Sequence, residues 1–479
     1  MLFNSIEFLF FLPIVFSLYW FVFNGRRMQN LLVVIASYVF YGWWDWRFLL
    51  LIALTSFCSY LSGLMLSHFE GKKRIRLSIN VSNIILNIGI LAVFKYFNFF
   101  ADNLIVLFDG LGYHLDIITI DVILPVGISF YTFQALSYSI DVYRKKIEPT
   151  YDIIDFFAFI SFFPQLVAGP IERAINLLPQ FQKDRYFDYS KAVDGLRQML
   201  WGFFKKLVIA DNCAFIVNLY WNQYENYNGV TLLALGLLFT FQIYCDFSGY
   251  SDIAIGCARL FGINLVRNFN FPYFSKSIPE FWRKWHMSLM TWFRDYIYFP
   301  LGGSRCAQWK IVRNTFFVFL ISGLWHGANW TFIIWGMFHA CLISLYILLR
   351  INTKPTNVSK KQLLPSLKDM IQMFMTFFLV ILGWIIFRAD SLHQAWSFIN
   401  RMFSTLFDDY NIVFERRYIL YGLILLGVEW LQRDKQHALQ ISNIKFFKHK
   451  ITRWSVYVVL IITILGAMGQ SQSFIYFQF

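Results

Sequence analysis

The run ISGLWHGANWTFIIW, residues 321 to 335, sets one ionisable side chain, His326, among apolar and aromatic neighbours. In hydrocarbon a charged group costs roughly 2.5 to 3.5 kcal/mol on insertion scales, so such side chains face a cavity, a partner or a substrate path. Neutral imidazole is cheaper to bury, and the competing interpretation is a core histidine that donates to a backbone carbonyl. If the run is helical, His326, Asn329 and Trp330 fall at i, i+3 and i+4 and share one face. An imidazole, an amide and an indole there suit proton transfer and hydrogen bonding to a polar substrate. Trp325 precedes the histidine, and Gly323 and Gly327 flank it. Small neighbours admit a second backbone or an acyl chain, and also suit ordinary helix packing in membranes.

A second polar and aromatic concentration runs from 241 to 305. Asp246 and Asp252 sit at the end of an apolar span with Ser248 and Ser251 between them, either bonding a helix end or pairing with Arg259. In PEFWRKWHMSLMTWFRDY, Pro279 and Glu280 mark a helix start. On the helix that follows, Trp282 and His286 share a face from which Arg283 and Lys284 diverge. Two roles remain open for it. It lies at the cytoplasmic interface with Trp282, Trp285 and Trp292 as anchors, or it lines an entrance where Arg283, Lys284 and Arg294 attract an anionic donor.

These groups need a scaffold, and composition names its class. The chain has 479 residues, 58% of them hydrophobic and 21% aromatic, with only 15% charged. That is too apolar for a soluble globular protein and fits a polytopic membrane protein. The net charge of +14 gathers in short basic clusters between apolar runs, which points to cytoplasmic loops and not to nucleic acid. The six cysteines are scattered without CxxC or framework spacing. No HExxH, Cys/His cluster, P-loop or GxSxG appears, so metal and serine-hydrolase chemistry within the chain are not expected.

About twelve apolar runs approach spanning length. They include 5–24, 79–98, 122–142, 198–220, 229–249, 311–326, 328–349 and 370–387. The N-terminus lacks a cleavage site and is expected to stay as a first helix. The loop 101–121 carries Asp102, Asp109, Asp116 and Asp121 without Lys or Arg and belongs outside. The basic stretches, among them 262–313 and the 350–368 loop with Lys354, Lys360, Lys361 and Lys368, then fall in the cytoplasm, with both termini outward. This holds only if 152–169, broken by Pro164 and Gly169, dips in and returns. One membrane domain over 1–479 is expected, with its motifs at about 120–345 and further spans at 370–470.

Four ordered blocks resemble the membrane-bound O-acyltransferase (MBOAT) family, and within it the bacterial alginate O-acetylation and peptidoglycan O-acetylation branch. They are VAGPIER at 167–173, QIYCDFSGYSDIAIG at 242–256, NFNFPYFSKSIPEFWRKWHMSL at 268–289 and SGLWHGANWTFIIWG at 322–336. The resemblance implies an all-α funnel of about 11 to 12 transmembrane helices plus re-entrant and interfacial ones. It places the family's catalytic histidine at His326 and its second motif histidine at His286, on the cytoplasmic approach. Trp325, Asn329, Trp330, Asp246, Ser248, Trp282, Arg283 and Trp285 are the remaining candidates for the substrate path.

The implied reaction moves acetyl from a cytoplasmic thioester, acetyl-CoA or a similar donor, to a hydroxyl on the outer side. Neutral imidazole at His326 would take the hydroxyl proton, with Asn329 or a backbone N–H at the oxyanion. No bound cofactor is expected. The acceptor is a polysaccharide such as alginate, cellulose or peptidoglycan, reached with an SGNH-hydrolase-type partner at the bacterial cytoplasmic membrane. The alternatives are D-alanyl or other acyl transfer to teichoic acid, lipid or protein, a transporter or flippase, and a scaffold in which His326 is structural.

Overall fold

The computed structural model describes residues 1–114, 124–351, 364–408, 412–441, 445–467, 472, 474 and 475. Asp116, Asp121, Lys354, Lys360 and Lys361 lie outside the described residues. Among the described residues there are helices and no strand. Among the described residues, six helices are long and apolar enough to cross a membrane. The chain clusters into two compact units, Met1–Ala192 with Cys257–Val266, and Val193–Gly256 with Arg267–Phe479.

The first unit holds α1 (Ile6–Ser17), α2 (Arg26–Gly42), α3 (Arg47–His68), α4 (Lys73–Gly110), α5 (Ile128–Tyr143), α6 (Ile153–Ser161), α7 (Phe163–Leu166) and α8 (Ala174–Phe181). Helix α4 runs on through Asp102 and Asp109, so these two acids belong to a helix and not to the loop expected from sequence. The break expected in 152–169 is present. Asp152 caps α6 by accepting the Ile154 N–H at 2.9 Å, and the chain turns out of helix at Phe162. Pro164 then sits in the first turn of α7, where its missing N–H costs nothing. VAGPIER ties down a neighbouring segment of this unit through Glu172, which accepts the Val266 N–H, and Gln180 of α8 adds bonds to both the N–H and the carbonyl of Asn264 at 2.8 and 2.9 Å.

The second unit contains α9 (Tyr189–Phe203) from Val193 onward, α10 (Asp211–Tyr220), α11 (Gly229–Leu260) up to Gly256, α12 (Ile278–Lys284), α13 (Met287–Phe293), α14 (Gln308–His326), α15 (Trp330–Leu348), α16 (Leu367–Arg388), α17 (Leu392–Ser404), α18 (Arg417–Leu431) and α19 (Lys450–Ala467). Asp246 and Asp252, expected at a span's end, lie inside the continuous α11. Close approach of α9 to α11 rests on missing side chains, since a Cβ on Gly202 would stand 2.6 Å from the Gly249 carbonyl oxygen. The hairpin of α14 and α15 is built the same way. A Cβ on Gly323 would meet the Phe332 carbonyl oxygen at 2.3 Å.

That contact reverses an ordinary rule. Glycine to alanine inside a helix normally stabilises by about 1 kcal/mol, but backbone cannot step aside as a side-chain tip can. Gly323→Ala is therefore expected to destabilise by about 1 to 3 kcal/mol through overpacking, read as a lower thermal midpoint in detergent. A raised midpoint would contradict the close packing.

Candidate active site

His326 is the last residue of α14, and the helix ends there because Gly327 is extended. The turn of helix expected through Asn329 is absent, which corrects the shared face proposed for His326, Asn329 and Trp330. Asn329 is instead the N-cap of α15, accepting the Thr331 N–H at 3.0 Å, while its Nδ2 donates to the Asp390 carbonyl at 3.0 Å. Both ends of that amide are thus used in structure, as the capping preference of asparagine explains. Trp330 is 50% exposed, whereas His326 is only 4% exposed.

The surroundings of His326 are aromatic. Its ring packs edge-on against Trp325 at 4.8 Å, Trp335 at 5.1 Å and Phe387 at 5.4 Å between centroids. Trp335 carries the contact onward to His339 at 5.3 Å, and Trp282 closes over His339 at 5.0 Å. Neither His339 nor Trp335 is among the candidates read from sequence. The four-residue spacing of the two along α15 was the available signal.

The helix expected over PEFWRKWHMSLMTWFRDY is two helices. Chain direction changes at Trp285 and His286, the latter in the left-handed region at φ 44 and ψ 51. Trp282 and His286 consequently do not share a helical face. Ser277 caps α12 by accepting the Glu280 N–H at 3.3 Å, so the helix start marked by Pro279 and Glu280 is present, with both residues in the first turn. Trp282, Trp285 and Trp292 are buried and do not act as interfacial anchors. Arg283 is exposed, and Lys284 is taken up by Glu280 at 2.7 Å. His286 is fully buried between Phe247, at 4.6 Å, and Trp325, at 5.8 Å. Burial pushes its imidazole down to about 3.

A family model for the membrane-bound O-acyltransferases, MBOAT, matches residues 38–388, which include both histidines. The chain belongs to that family. It is an acyltransferase of multi-pass membrane type, as its long apolar helices agree. A relative from Pseudomonas putida, "Probable alginate O-acetylase AlgI", is 37% identical over the whole of both chains. The protein of the same name from Pseudomonas aeruginosa is 42% identical over 84% of this chain and 75% of its own. The "Peptidoglycan O-acetyltransferase" of Helicobacter pylori is 34% identical over 82% and 78%.

This MBOAT chain also buries charge that sequence reading passed over. Lys205 pairs with Asp252 at 2.6 Å and donates to Ser248 at 2.9 Å. Lys206 lies 2.8 Å from both Asp211 and Asp246. The charged partners of the two α11 acids are thus these lysines, where a helix end or Arg259 was expected. Both lysines occupy a π-helical turn, Phe204–Ala210, whose widened spacing aims consecutive residues at α11. Two adjacent lysines in the apolar run 198–220 were the missed signal. Lys205, Tyr244, Ser248, Asp252, Arg267 and Asn268 line a polar cavity. Among the described residues no cluster of His, Cys, Asp or Glu is arranged to hold a metal ion.

Proposed function

We propose that this chain is an O-acetyltransferase that draws acetyl from a cytoplasmic thioester, acetyl-CoA being the donor assigned, and passes it across the bacterial cytoplasmic membrane. The acceptor is an extracytoplasmic polysaccharide of the alginate, cellulose or peptidoglycan kind, with an SGNH-hydrolase-type partner completing the transfer. The observation that carries this is the full-length likeness to a probable alginate O-acetylase in a chain whose His326 ends a helix inside an aromatic cage.

The residues divide the work. Neutral imidazole at His326 takes the proton of the attacking hydroxyl; its oxygen bonds to the acyl carbon, the carbon–sulfur bond breaks, and the proton ends on the departing thiolate. Trp325 and Trp335 fix the ring and exclude water from the thioester. Asn329 acts by capping α15 next to the site and is withdrawn as the oxyanion donor. His286 lies one aromatic ring away, across Trp325, and meets the donor from the cytoplasmic side. The donor is a co-substrate, and the reaction calls for no bound cofactor.

Purified chain in lipid vesicles, given labelled acetyl-CoA and a hydroxyl acceptor, is expected to release coenzyme A and label the acceptor. A transporter moves solute without consuming thioester, so vesicles that accumulate solute and release no thiol would overturn the assignment. Labelling from a D-alanyl thioester and not from acetyl-CoA would redirect it to D-alanyl transfer.

A further inference from the structure

Asn268 is fully buried, and both ends of its side chain are committed. Its Oδ1 lies 3.0 Å from His286 Nδ1, accepts the Ser288 hydroxyl at 2.9 Å and faces the Ser288 backbone N–H at 3.4 Å. Its Nδ2 donates to Ser251 Oγ at 3.1 Å. The backbone is held as well, since the Met287 N–H donates to the Asn268 carbonyl at 2.8 Å. A backbone N–H only donates, so the amide atom turned toward Ser288 is oxygen. The His286 nitrogen beside that oxygen must then be the one carrying the proton. His286 Nε2 keeps its lone pair and, fully buried, has no hydrogen-bond partner among the described residues.

Buried polar atoms are nearly always partnered, so an acceptor left open beside a candidate catalytic site calls for a partner that the protein's own side chains do not supply, a water or a substrate group. The left-handed backbone of His286 points the same way, because such a conformation costs about 1 to 3 kcal/mol in a non-glycine residue and persists where the surroundings impose it. Here the imposing group is Asn268, which fixes side chain and backbone of the 286–288 turn together.

We propose that Asn268 is a positioning residue that locks His286 as the Nδ1–H tautomer, so that Nε2 is presented as a hydrogen-bond acceptor to an N–H or O–H of the substrate. The inference rests on the acyltransferase function proposed above and adds to it the residue that sets the chemistry of His286. Aspartate at 268 keeps the accepting oxygen. Burial, which pushes the His286 imidazole down, opposes protonation of the ring by the new carboxylate and favours its neutral, accepting form. Leucine removes the oxygen and frees the ring to take the other tautomer.

The test compares thiol release from acetyl-CoA at low donor concentration for the full chain and for Asn268→Leu and Asn268→Asp, with thermal midpoints measured on each. Asn268→Leu is expected to lose about 10- to 100-fold, as for a buried hydrogen bond left unmade, while Asn268→Asp stays within a few-fold of the parent even if its midpoint falls. Rates that merely track the midpoints, or a leucine variant as fast as the parent, overturn the proposal. A second measurement reads the tautomer in the parent itself: nitrogen-15 spectra of the histidine-labelled chain, with His286 assigned by the one signal lost in a His286→Gln chain that keeps the other histidine signals in place. They are expected to show His286 protonated at Nδ1, and protonation at Nε2 overturns the proposal too. Failure of the function itself looks different, with the parent releasing no thiol while the spectrum still reports the tautomer.

Discussion

Replacing His326 with alanine is expected to abolish acyl transfer while leaving the chain inserted and folded. General-base catalysis by one positioned imidazole contributes about 10²- to 10⁴-fold, and no other side chain holds the same position at the end of α14. The fold should survive because the ring sits at a helix terminus, where Gly327 already leaves the helix, and its contacts are with aromatic rings anchored by their own elements. Removing it opens a small cavity beside Trp335 and costs about 2 to 3 kcal/mol at most. The measurements are thiol release from acetyl-CoA and a monodisperse elution profile in detergent. Acetylation retained in a folded His326→Ala chain would remove His326 from the chemistry and leave the aromatic cage a packing device.

Much of this architecture can be read without coordinates, and the failures have identifiable causes. Apolar length finds the spans because hydrocarbon demands uninterrupted helices, and Pro164 announces the break between α6 and α7. The same rule hides the break at His286. No glycine or proline stands at that position, and a tertiary contact from Asn268 imposes the turn against local preference. At Asn329 the signal was present, since asparagine is a strong N-cap, but an unbroken apolar run made a continuous helix the simpler assumption. For α4, apolar length stopped the span too early, because a helix can run on through Asp102 and Asp109 with both acids exposed. His326 stands out by its rarity in apolar sequence, and His286 by the family motif that contains it. Asn268 and Trp335 do not, because an amide in a polar stretch and an indole in an aromatic one carry no such contrast.

The buried lysines lead to the other large effect. Lys206→Met is expected to destabilise the second unit by about 3 to 5 kcal/mol, the cost of breaking a buried ion pair from one side. The ammonium lies 2.8 Å from Asp211 and 2.8 Å from Asp246, and the side chains of all three are under 5% exposed. Methionine fills nearly the same space, so the loss is electrostatic and not one of packing. Two carboxylates are left facing each other away from water. An exposed pair such as Lys191 with Asp188, screened by water, offers the contrast, since its removal is expected to leave the midpoint where it was. The cluster also reaches another part of the chain: Lys206 donates to the Gln472 carbonyl at 3.2 Å and Asp246 accepts the Ile475 N–H at 2.7 Å. Loss of the lysine should therefore loosen the contacts of Gln472 and Ile475 first, visible as faster hydrogen exchange at Ile475. Lys206→Met combined with Asp211→Asn and Asp246→Asn removes all three charges and keeps an oxygen for the Ile475 N–H. Since buried ionic clusters are often replaceable as a whole, this triple variant is expected to regain most of the midpoint lost by the single one. Equal midpoints for the single and triple variants would mean that the ammonium holds the second unit by packing, and the electrostatic account of the cluster would fall.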